Sequence, residues 1–545
     1  MKKNLHLPTP GSPKITHENI IYIFGLIVIF IGAIWIRAAL LPIPFFSKDS
    51  WEYLEPAMSQ LATGTIQPTF RGFFYPAILW CILKLWPNFI AIAVIQHAAG
   101  LLAGVLLVIT WARMRIFLPT APWTWYAYYL SGWMMLTVYT FSQASLVYEH
   151  SLRPEAIFPL ITILCILIST EFSRRVIMQP SYAISFTGNI LAFLLVVLAF
   201  AAYYLKPAWG LAACATMAPL VVAPGLTTHW VRRALPVILG FSVVFCIFEI
   251  PERLMHRTVS GNSLFLAQTI FSANGESIYK VLKKDLSPSP SNSQRSVANL
   301  LLPYFDQAIQ QHPRPVPFGY SKLNPDDIMY GGATEALSTF YHGNSHRTAA
   351  ACLEYYWRAW LYDPLGMLRK ITTQLFYFYC PWKSVTYAQG IDFQISDRLR
   401  ISLELLQNHP YSWSPYQEYQ NQILAWLVRS PRLSIPEFIV ALSTILNPLY
   451  MPIVLLAAIG ALWVIFSKNP LFLDLRISAF WCLYLLSYNF AMSLTIAVIH
   501  MMTVDRYHFS QTIFSVLSQC FSAIFLACLV YRMLHIRFSK QTLFS

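Results

Sequence analysis

Charged residues are scarce in this sequence, where Asp, Glu, Lys and Arg together make up 11% of 545 residues. Soluble domains contain about 25% of these residues. Hydrophobic residues make up 56% of the chain and aromatic residues 15%. This composition excludes a soluble multidomain protein and indicates a chain that crosses a membrane several times.

Acidic residues are fewer than basic ones, with 24 Asp and Glu against 38 Lys and Arg, which gives a net charge of +14. The basic residues form short clusters at the ends of apolar runs instead of following one polar face. Such clusters are typical of cytoplasmic loops in membrane proteins. We therefore expect no nucleic-acid partner.

The sequence also lacks a CxxC pair among its nine cysteines, most of which lie inside apolar runs. Cysteines in such runs behave as small hydrophobic residues, so the pattern argues against a zinc or redox centre. Cys352 and Cys380 are the two that we consider for a disulfide, since both fall on the predicted oxidising side of the membrane.

Long apolar runs are what the sequence has most of, and a membrane span needs about 20 such residues. Ten runs qualify: 20–41, 88–110, 119–141, 156–172, 184–205, 208–226, 234–250, 440–466, 477–499 and 509–531. The first follows basic residues and exceeds a signal-peptide core, so we expect an uncleaved anchor. The shorter run Phe73 to Leu85 is predicted to lie at the interface, because only then do all basic clusters face the cytoplasm.

The polarity of the chain divides it into three parts. Residues 1–250 form an N-terminal transmembrane module, 251–434 a polar extracytoplasmic segment, and 435–545 a C-terminal transmembrane module. Within the middle part, Gln374 to Trp382 is apolar but short, and is predicted to lie on the membrane. The predicted fold is an all-α polytopic membrane protein with about ten transmembrane helices, interfacial helices in the first outer loop and a mixed extracytoplasmic segment.

This topology places most of the remaining polar residues on the extracytoplasmic face. They are Asp49, Glu52, Glu55, Arg71, Glu149, His150, Arg153, Glu155, Lys206, Glu249, Glu252, Arg253, His500, Asp505, Arg506 and His508. The cytoplasmic loops hold only Glu171, Asp474 and a few polar residues beside their basic clusters. Such asymmetry predicts a membrane enzyme that works on its outer face.

Asp49 follows directly on the first span and has two interpretations. Ser47 or Asp49 can cap a short amphipathic helix, with Glu52 three residues on from Asp49 closing a capping box. Asp49 can also serve as a general base, held near the interface where a neighbouring cation tunes its pKa. The two interpretations are compatible, since a helix N-terminus holds a carboxylate in a defined place.

The stretch from Asp49 to Pro76 resembles the first outer loop of the C-type glycosyltransferase superfamily (GT-C), and in particular the bacterial protein O-mannosyltransferases and aminoarabinose lipid A transferases. The matching residues are Asp49, Ser50, Tyr53, Leu54, Gly64, Arg71, Tyr75 and Pro76. The family's usual Pro-Gly before Tyr-Pro is replaced here by Gly72, Phe73 and Phe74. The segments YEHSLRPEAIFPL, YLKPAWGL and DRYHFSQ extend the resemblance through later outer loops.

The resemblance implies transfer of a sugar, with inversion, from a polyprenyl-phosphate donor to a lipid, polysaccharide or protein acceptor, on the extracytoplasmic side of an inner membrane. Asp49 would take the proton of the acceptor hydroxyl. The leaving phosphate gains charge, so cations must lie beside it. Arg506, Lys206 and Arg71 are the candidates, although the first two can instead snorkel to the interface and Arg71 can pair within its own loop.

Two glutamates of the second outer loop are candidates for a further catalytic role. By the resemblance, Glu149 or Glu155 would orient the acceptor or coordinate a cation, while a local salt-bridge cluster at a helix start is the alternative. Tyr53, His150 and Tyr75 are predicted to contact the acceptor or the sugar. No cofactor is expected to be required. A divalent cation stays open, although His500 and His508 lack an evident third ligand.

Three other functions remain as alternatives. An O-antigen ligase or polymerase also uses outer-face Arg and His, but has no reason to carry the arrangement from Asp49 to Pro76. A transporter would place ionisable residues at mid-membrane. A non-catalytic scaffold would tolerate Asp49→Asn.

Overall fold

The computed structural model describes residues 17–47, 49–69, 71–119, 121–179, 181–182, 185–222, 230–255, 261–287, 290–311, 323–380, 386–387, 393–429, 432–433, 435–500 and 504–541. Within these residues the fold is almost entirely helical. The exception is one antiparallel pair of two-residue strands, β1 (Phe393–Gln394) and β2 (Arg432–Leu433). The predicted all-α fold is confirmed.

Eleven helices form the N-terminal part of the described chain. They are α1 (His17–Ala38), α2 (Ser50–Thr63), α3 (Phe74–Leu85), α4 (Ile90–Met114), α5 (Thr124–Phe141), α6 (Gln143–His150), α7 (Phe158–Met178), α8 (Phe186–Leu205), α9 (Gly210–Val222), α10 (Trp230–Val244) and α11 (Ile250–Met255). A π-helical turn, Phe245–Glu249, joins the last two.

Nine helices follow in the polar middle segment. They are α12 (Gly261–Ala273), α13 (Gly275–Asp285), α14 (Asn292–Gln311), α15 (Pro325–Tyr330), α16 (Ala333–Phe340), α17 (Ser345–Tyr362), α18 (Pro364–Tyr379), α19 (Ile395–Asn408) and α20 (Ser414–Arg429). The last four helices are α21 (Glu437–Phe466), α22 (Arg476–Ile499), α23 (Val504–Phe509) and α24 (Thr512–Gln541).

Each apolar run predicted to span the membrane contains a helix within its described residues. In the described part of the chain, seven helical segments are long and apolar enough to cross a bilayer, at His17–Ala38, Ile90–Phe117, Phe186–Leu205, Ala234–Leu254, Glu437–Phe466, Arg476–Ile499 and Thr512–Leu534. The other three predicted spans correspond to α5, α7 and α9, which pack against these helices. The protein is a multi-pass membrane protein.

The short run at Phe73 to Leu85 forms α3, a helix of 12 residues. At 1.5 Å per residue it is about 18 Å long, well short of an apolar bilayer core of about 30 Å. It packs on α2, α4 and α8. Its length therefore agrees with the predicted interfacial position.

The loops separate into two groups at opposite ends of the helices. At one end, Glu171 lies 3.8 Å from Arg113, and the Ser478 hydroxyl donates to the Phe117 carbonyl at 2.6 Å. At the other end, Phe45 bridges to Ser151. These are the groups that the positive-inside prediction assigns to the cytoplasmic and outer faces. We call the second group the Asp49 end.

The core is divided in a way that the domain prediction does not describe. One apolar core joins the N-terminal and C-terminal helices and includes residues of α19 and α20. A second core lies within α12–α18 and includes Phe271, Leu301, Phe305 and Cys352. The first part of the middle segment, α12–α18, is thus a helical unit, which we call the outer unit after its predicted side of the membrane. The last part of the middle segment packs on the membrane helices.

The sequence predicted that Gln374 to Trp382 lies on the membrane surface. The described part of this run, Gln374 to Cys380, instead packs against the helix bundle, and Trp382 lies outside the described residues. The Tyr379 hydroxyl at the end of α18 donates to Asn489 of α22 at 2.8 Å. Tyr387 is buried and pairs with Asn447 of α21. An apolar run too short to span can still enter a bundle and return where polar side chains satisfy its backbone.

The considered disulfide does not form, since Cys352 and Cys380 are both free and buried. Cys352 belongs to the core within α12–α18, while Cys380 follows the end of α18. Both thiols are enclosed by packing.

Candidate active site

The loop between α1 and α2 is held in place by contacts with distant segments. Phe45 N donates to the His150 carbonyl at 2.9 Å, and Leu152 N donates to the Phe45 carbonyl at 3.2 Å. From α20, the Tyr419 hydroxyl donates to the Pro44 carbonyl at 2.5 Å. The chain therefore reaches Asp49 along a fixed path.

Asp49 occupies the N-cap position of α2, but its side chain makes no capping hydrogen bond. Instead, Arg153 Nη2 donates to Asp49 Oδ2 at 2.9 Å, and Arg71 Nη2 lies 3.8 Å from Asp49 Oδ1. The Asp49 side chain keeps 27% of its surface exposed. The carboxylate thus lies between two guanidinium groups and remains accessible, which the capping interpretation does not explain.

Glu52 does not complete a capping box either. Its carboxylate accepts from Arg71 Nε at 2.5 Å, and its backbone carbonyl accepts from the Thr69 hydroxyl at 2.7 Å. Burial raises the pKa of Glu52, and Arg71 only partly offsets this effect. The Arg71 guanidinium also lies 5.3 Å from the ring centres of Tyr53 and Phe265. Arg71 therefore joins the first loop to α12 of the outer unit.

Glu155 and Lys206 form a second, buried charged pair. Lys206 Nζ donates to Glu155 Oε1 at 3.3 Å. The ammonium group also lies 5.7 Å from the ring centre of Phe158 and 5.2 Å from that of Tyr507. Since Tyr507 belongs to α23, this pair links the second outer loop to the segment that carries Arg506. The Arg506 side chain itself lies outside the described residues.

Glu149 is bound on both carboxylate oxygens. Arg37 Nη2 donates to Oε1 and Arg37 Nε to Oε2, both at 2.7 Å, and His97 Nδ1 lies 2.8 Å from Oε2. Burial acts to raise the pKa of Glu149, but Arg37 and His97 hold it below the usual value. Glu149 thus joins α1, α4 and α6, and its predicted catalytic role stays a prediction.

His150, Tyr53 and Tyr75 are the residues predicted to contact the acceptor or the sugar. His150 Nε2 donates to the Leu41 carbonyl at 2.7 Å, and burial together with His97 lowers the pKa of His150 to about 4. Tyr75 is buried and its hydroxyl accepts from Gln96 at 2.7 Å. Tyr53 packs edge-on against the Tyr75 ring at 5.6 Å. Of these three residues, only Tyr53 is partly exposed.

The second outer loop makes long-range contacts where the sequence offered a local salt-bridge cluster. The contacts described for Glu149, His150, Arg153 and Glu155 each join residues at least 51 positions apart. Sequence reasoning did not select Arg37, His97 or Arg153 for the site. Arg37 carried a signal, because an arginine inside an apolar run is rare in membrane helices.

An apolar cleft of about 580 Å³ opens between α18, α21 and α22. Phe376, Leu455 and Phe490 line its sides, while Tyr379 and Asn489 supply polar groups. Asn489 Nδ2 donates to Gln511 Oε1 at 2.6 Å. Gln511 directly precedes Thr512, which lines a narrow pocket together with Glu149 and Glu155. The cleft therefore approaches the polar residues of the Asp49 end.

No group of three or more His, Cys, Asp or Glu side chains able to hold a metal ion occurs within the described ranges. His508 is buried, with its ring 5.0 Å from that of Phe378. The His500 ring lies 5.8 Å from that of Tyr507. The expectation that no cofactor is required stays a prediction.

Comparisons with known proteins give little to add to this geometry. No protein-family model matches the sequence, and no curated protein matches it. Among solved structures, the chain is similar to the crystal structure of ArnT from Cupriavidus metallidurans bound to undecaprenyl phosphate. The sequences are 11% identical, the match covers 89% of this chain and 78% of that chain, and the TM-score is 0.30. A TM-score this low supports no inference, so we rely on this chain's own contacts.

Proposed function

We propose that this protein is a membrane glycosyltransferase that moves a sugar from a polyprenyl-phosphate donor to an acceptor of the cell envelope on the extracytoplasmic face. The observation that carries the proposal is the Asp49 carboxylate, which is accessible, does not cap its helix and lies between Arg71 and Arg153. A carboxylate beside cations at the end of a membrane bundle suits sugar transfer, because the carboxylate can take the proton of the acceptor hydroxyl and the cations can bind the leaving lipid phosphate.

In this mechanism, a hydroxyl of the acceptor donates its proton to Asp49 as its oxygen attacks the anomeric carbon. The new bond between that carbon and the acceptor oxygen forms while the bond to the phosphate oxygen breaks. The polyprenyl phosphate leaves with the bonding electron pair, and attack opposite the leaving group inverts the anomeric centre. Arg153 donates to one oxygen of Asp49, and the donor's phosphate would draw a guanidinium group away and leave a carboxylate oxygen open to the acceptor hydroxyl.

Arg71 and Lys206 are the described cations proposed to receive the phosphate, with Arg506 as a third candidate. Each described cation is paired with a glutamate, Arg71 with Glu52 and Lys206 with Glu155. These pairs keep the cations in place when no polyprenyl-phosphate donor is bound, because an unpaired buried charge costs several kcal/mol. Arg153, which the sequence did not single out, is the nearest cation to Asp49 and joins this group.

The apolar cleft between α18, α21 and α22 supports a lipid-linked donor. Its lining is apolar along the membrane helices and becomes polar at Tyr379 and Asn489, toward the Asp49 end. A hydrocarbon chain placed in this cleft would stay out of contact with water. Its head group would face the cations. The identity of the sugar and of the acceptor is not specified by these residues.

The test is mass spectrometry of envelope glycans and lipids from cells that express wild type, Asp49→Asn or Asp397→Asn at matched levels, against a deletion strain. Asp397 is the matched control, because its exposed carboxylate pairs only weakly with Arg400 at 3.5 Å. We expect a sugar-sized mass increment with wild type and with Asp397→Asn. Removal of a general base lowers the rate by about 10²- to 10⁴-fold, so the increment should be lost with Asp49→Asn.

Three results would each contradict a different part of the proposal. Equal increments from wild type and Asp49→Asn would show that Asp49 is not the base. No increment from any of the three proteins would contradict glycosyl transfer and favour a transporter. An increment that consists of a whole oligosaccharide would favour an O-antigen ligase or polymerase.

A further inference from the structure

The corner between α17 and α18 exposes an apolar face on the outer unit. One side of α17 is buried in that unit's core through Cys352, Tyr355 and Ala359. On the opposite side of α17, Leu361 is 86% exposed and Trp357 63%. Leu365, at the start of α18, is 78% exposed. The full face comprises Leu353, Trp357, Leu361, Tyr362, Leu365 and Leu368. We call these six residues the corner face.

Three charged side chains near the corner face are turned toward the protein. Arg358 binds Asp285 of α13, and Asp363 accepts from Lys280 at 2.7 Å. Lys370 Nζ donates to the Ala497 and His500 carbonyls at 2.7 and 2.8 Å, at the C-terminal end of α22. Among the exposed residues from 353 to 368, only Glu354 is charged. An apolar surface of this kind on an extramembrane unit marks an interaction site.

Basic residues border the corner face. Lys284 Nζ lies 4.2 Å from the centre of the Tyr362 ring, which belongs to the corner face. Arg369 is exposed beside Leu368. Aromatic and leucine side chains with a basic border are typical of segments that lie in the head-group region of a bilayer.

The corner face continues along α18 onto the surface of the membrane helices. Phe376 of α18 is 52% exposed and lines the same cleft as Leu455 of α21 and Phe490 of α22. These last two residues belong to helices that are long and apolar enough to span the membrane, and each is half-exposed. The bilayer that would cover Leu455 and Phe490 therefore extends toward the corner face.

We propose that the corner face rests in the head-group region of the outer leaflet and that its basic border binds anionic lipids. Contact at this face holds the outer unit against the membrane beside the Asp49 end. The inference does not depend on the proposed activity, since it concerns only the lipid contacts of the outer unit.

The test is photocrosslinking of the full-length protein in nanodiscs of phosphatidylethanolamine and phosphatidylglycerol. p-Benzoylphenylalanine replaces Leu361 in one variant, Leu365 in a second and Phe340 in a control. Phe340 is also exposed and apolar, but it lies before the start of α17. That start is about 18 Å from Trp357 along the helix axis, so Phe340 is not part of the corner face. We expect phospholipid adducts at 361 and 365 that exceed those at 340 by at least tenfold.

Adducts no more frequent at 361 and 365 than at 340 would overturn the proposal, as would adducts to another protein in native membranes. The basic border is tested in the same discs with Lys284→Gln combined with Arg369→Gln. The share of phosphatidylglycerol among the adducts should fall at least twofold in this variant. An unchanged share would overturn the assignment of anionic lipids to the border.

Discussion

At the scale of single residues, the polar groups of the Asp49 end are fixed by pairs that join distant parts of the chain. Arg37 and Glu149 are the most enclosed of them, with about 3% of each side chain exposed. A buried pair of this kind is costly to break, because the remaining charge stays buried without compensation. Two predictions follow from the surroundings of Glu149.

Gly100 of α4 makes room for the Glu149 carboxylate. A Cβ atom at this position would lie 2.0 Å from Glu149 Oε1, whereas one at Gly210 would lie 3.6 Å from its nearest neighbour. We expect Gly100→Ala to destabilise the protein by about 1–3 kcal/mol, as overpacking of cores does. Thermal unfolding in detergent should show a lower midpoint for Gly100→Ala and no loss for Gly210→Ala. Equal midpoints would show that Glu149 moves aside without cost.

His150 makes stability depend on pH. Its pKa is about 4 in the folded protein and about 6.5 when unfolded. As the pH falls, the unfolded state therefore binds the proton before the folded state does. The contribution of His150 to the free energy of unfolding is fully present above about pH 6.5 and is lost as the pH falls toward 4. From pH 7 to pH 4.5 this group should remove about 2–3 kcal/mol of stability. Unfolding midpoints across this range should fall less steeply for His150→Gln, and identical slopes would contradict the prediction.

At the scale of secondary-structure elements, the segment from α18 to Tyr387 differs most from expectation. Asn447 accepts from Tyr387 N at 2.8 Å and donates to its carbonyl at 3.0 Å. Tyr387 also donates through its hydroxyl to Gln519 of α24 at 2.7 Å. Asn447 lies ten residues into α21, about 15 Å along that helix. Non-helical backbone at this depth needs such partners.

Replacement of Asn447 should therefore be costly. Asn447→Leu leaves a buried N–H and a buried carbonyl of Tyr387 without these partners, at about 1–3 kcal/mol each. Thr444→Val is the control on the same helix, since the Thr444 side chain is exposed and donates only to the Val440 carbonyl. We expect the thermal midpoint in detergent to drop by several degrees for the first variant alone. Similar midpoints for both variants would show that water replaces the lost contacts.

At the scale of the whole molecule, the arrangement of charge at the two ends of the helices predicts its orientation. The Arg113, Arg174 and Arg175 side chains all lie within 4 Å of Glu171 at the end opposite Asp49. Basic residues of short loops remain in the cytoplasm. The Asp49 end, with the outer unit, should then face the extracytoplasmic side.

Epitope insertions test this orientation. An epitope at Gly343, in an exposed turn between α16 and α17, should bind antibody in spheroplasts without permeabilisation. An epitope beside the exposed Lys468, between α21 and α22, should bind only after permeabilisation. The reverse pattern would contradict the orientation, and access to both from one side would contradict the number of spans between them.

The lengths of the apolar runs and the positions of the basic clusters are enough to predict where the membrane helices lie and which loops share an end. Apolar runs longer than about 20 residues have few alternatives to a helix in a bilayer, because every backbone group needs an internal partner. Basic clusters at the ends of the runs then separate the loops into two groups. The sequence also singled out Asp49, because a carboxylate directly after an apolar run is unusual in so weakly charged a chain.

What each polar residue contacts depends on how the helices pack, which the sequence does not reveal. Arg153 and Asp49 are 104 residues apart, and Arg37 and Glu149 are 112 apart. Neighbours in sequence cannot reveal such pairs, since helix packing brings them together. Tyr387 and Asn447 show the same limit for a whole segment, because a short apolar run fits both a membrane surface and the interior of a bundle. The choice depends on whether side chains of other helices are placed to satisfy its backbone.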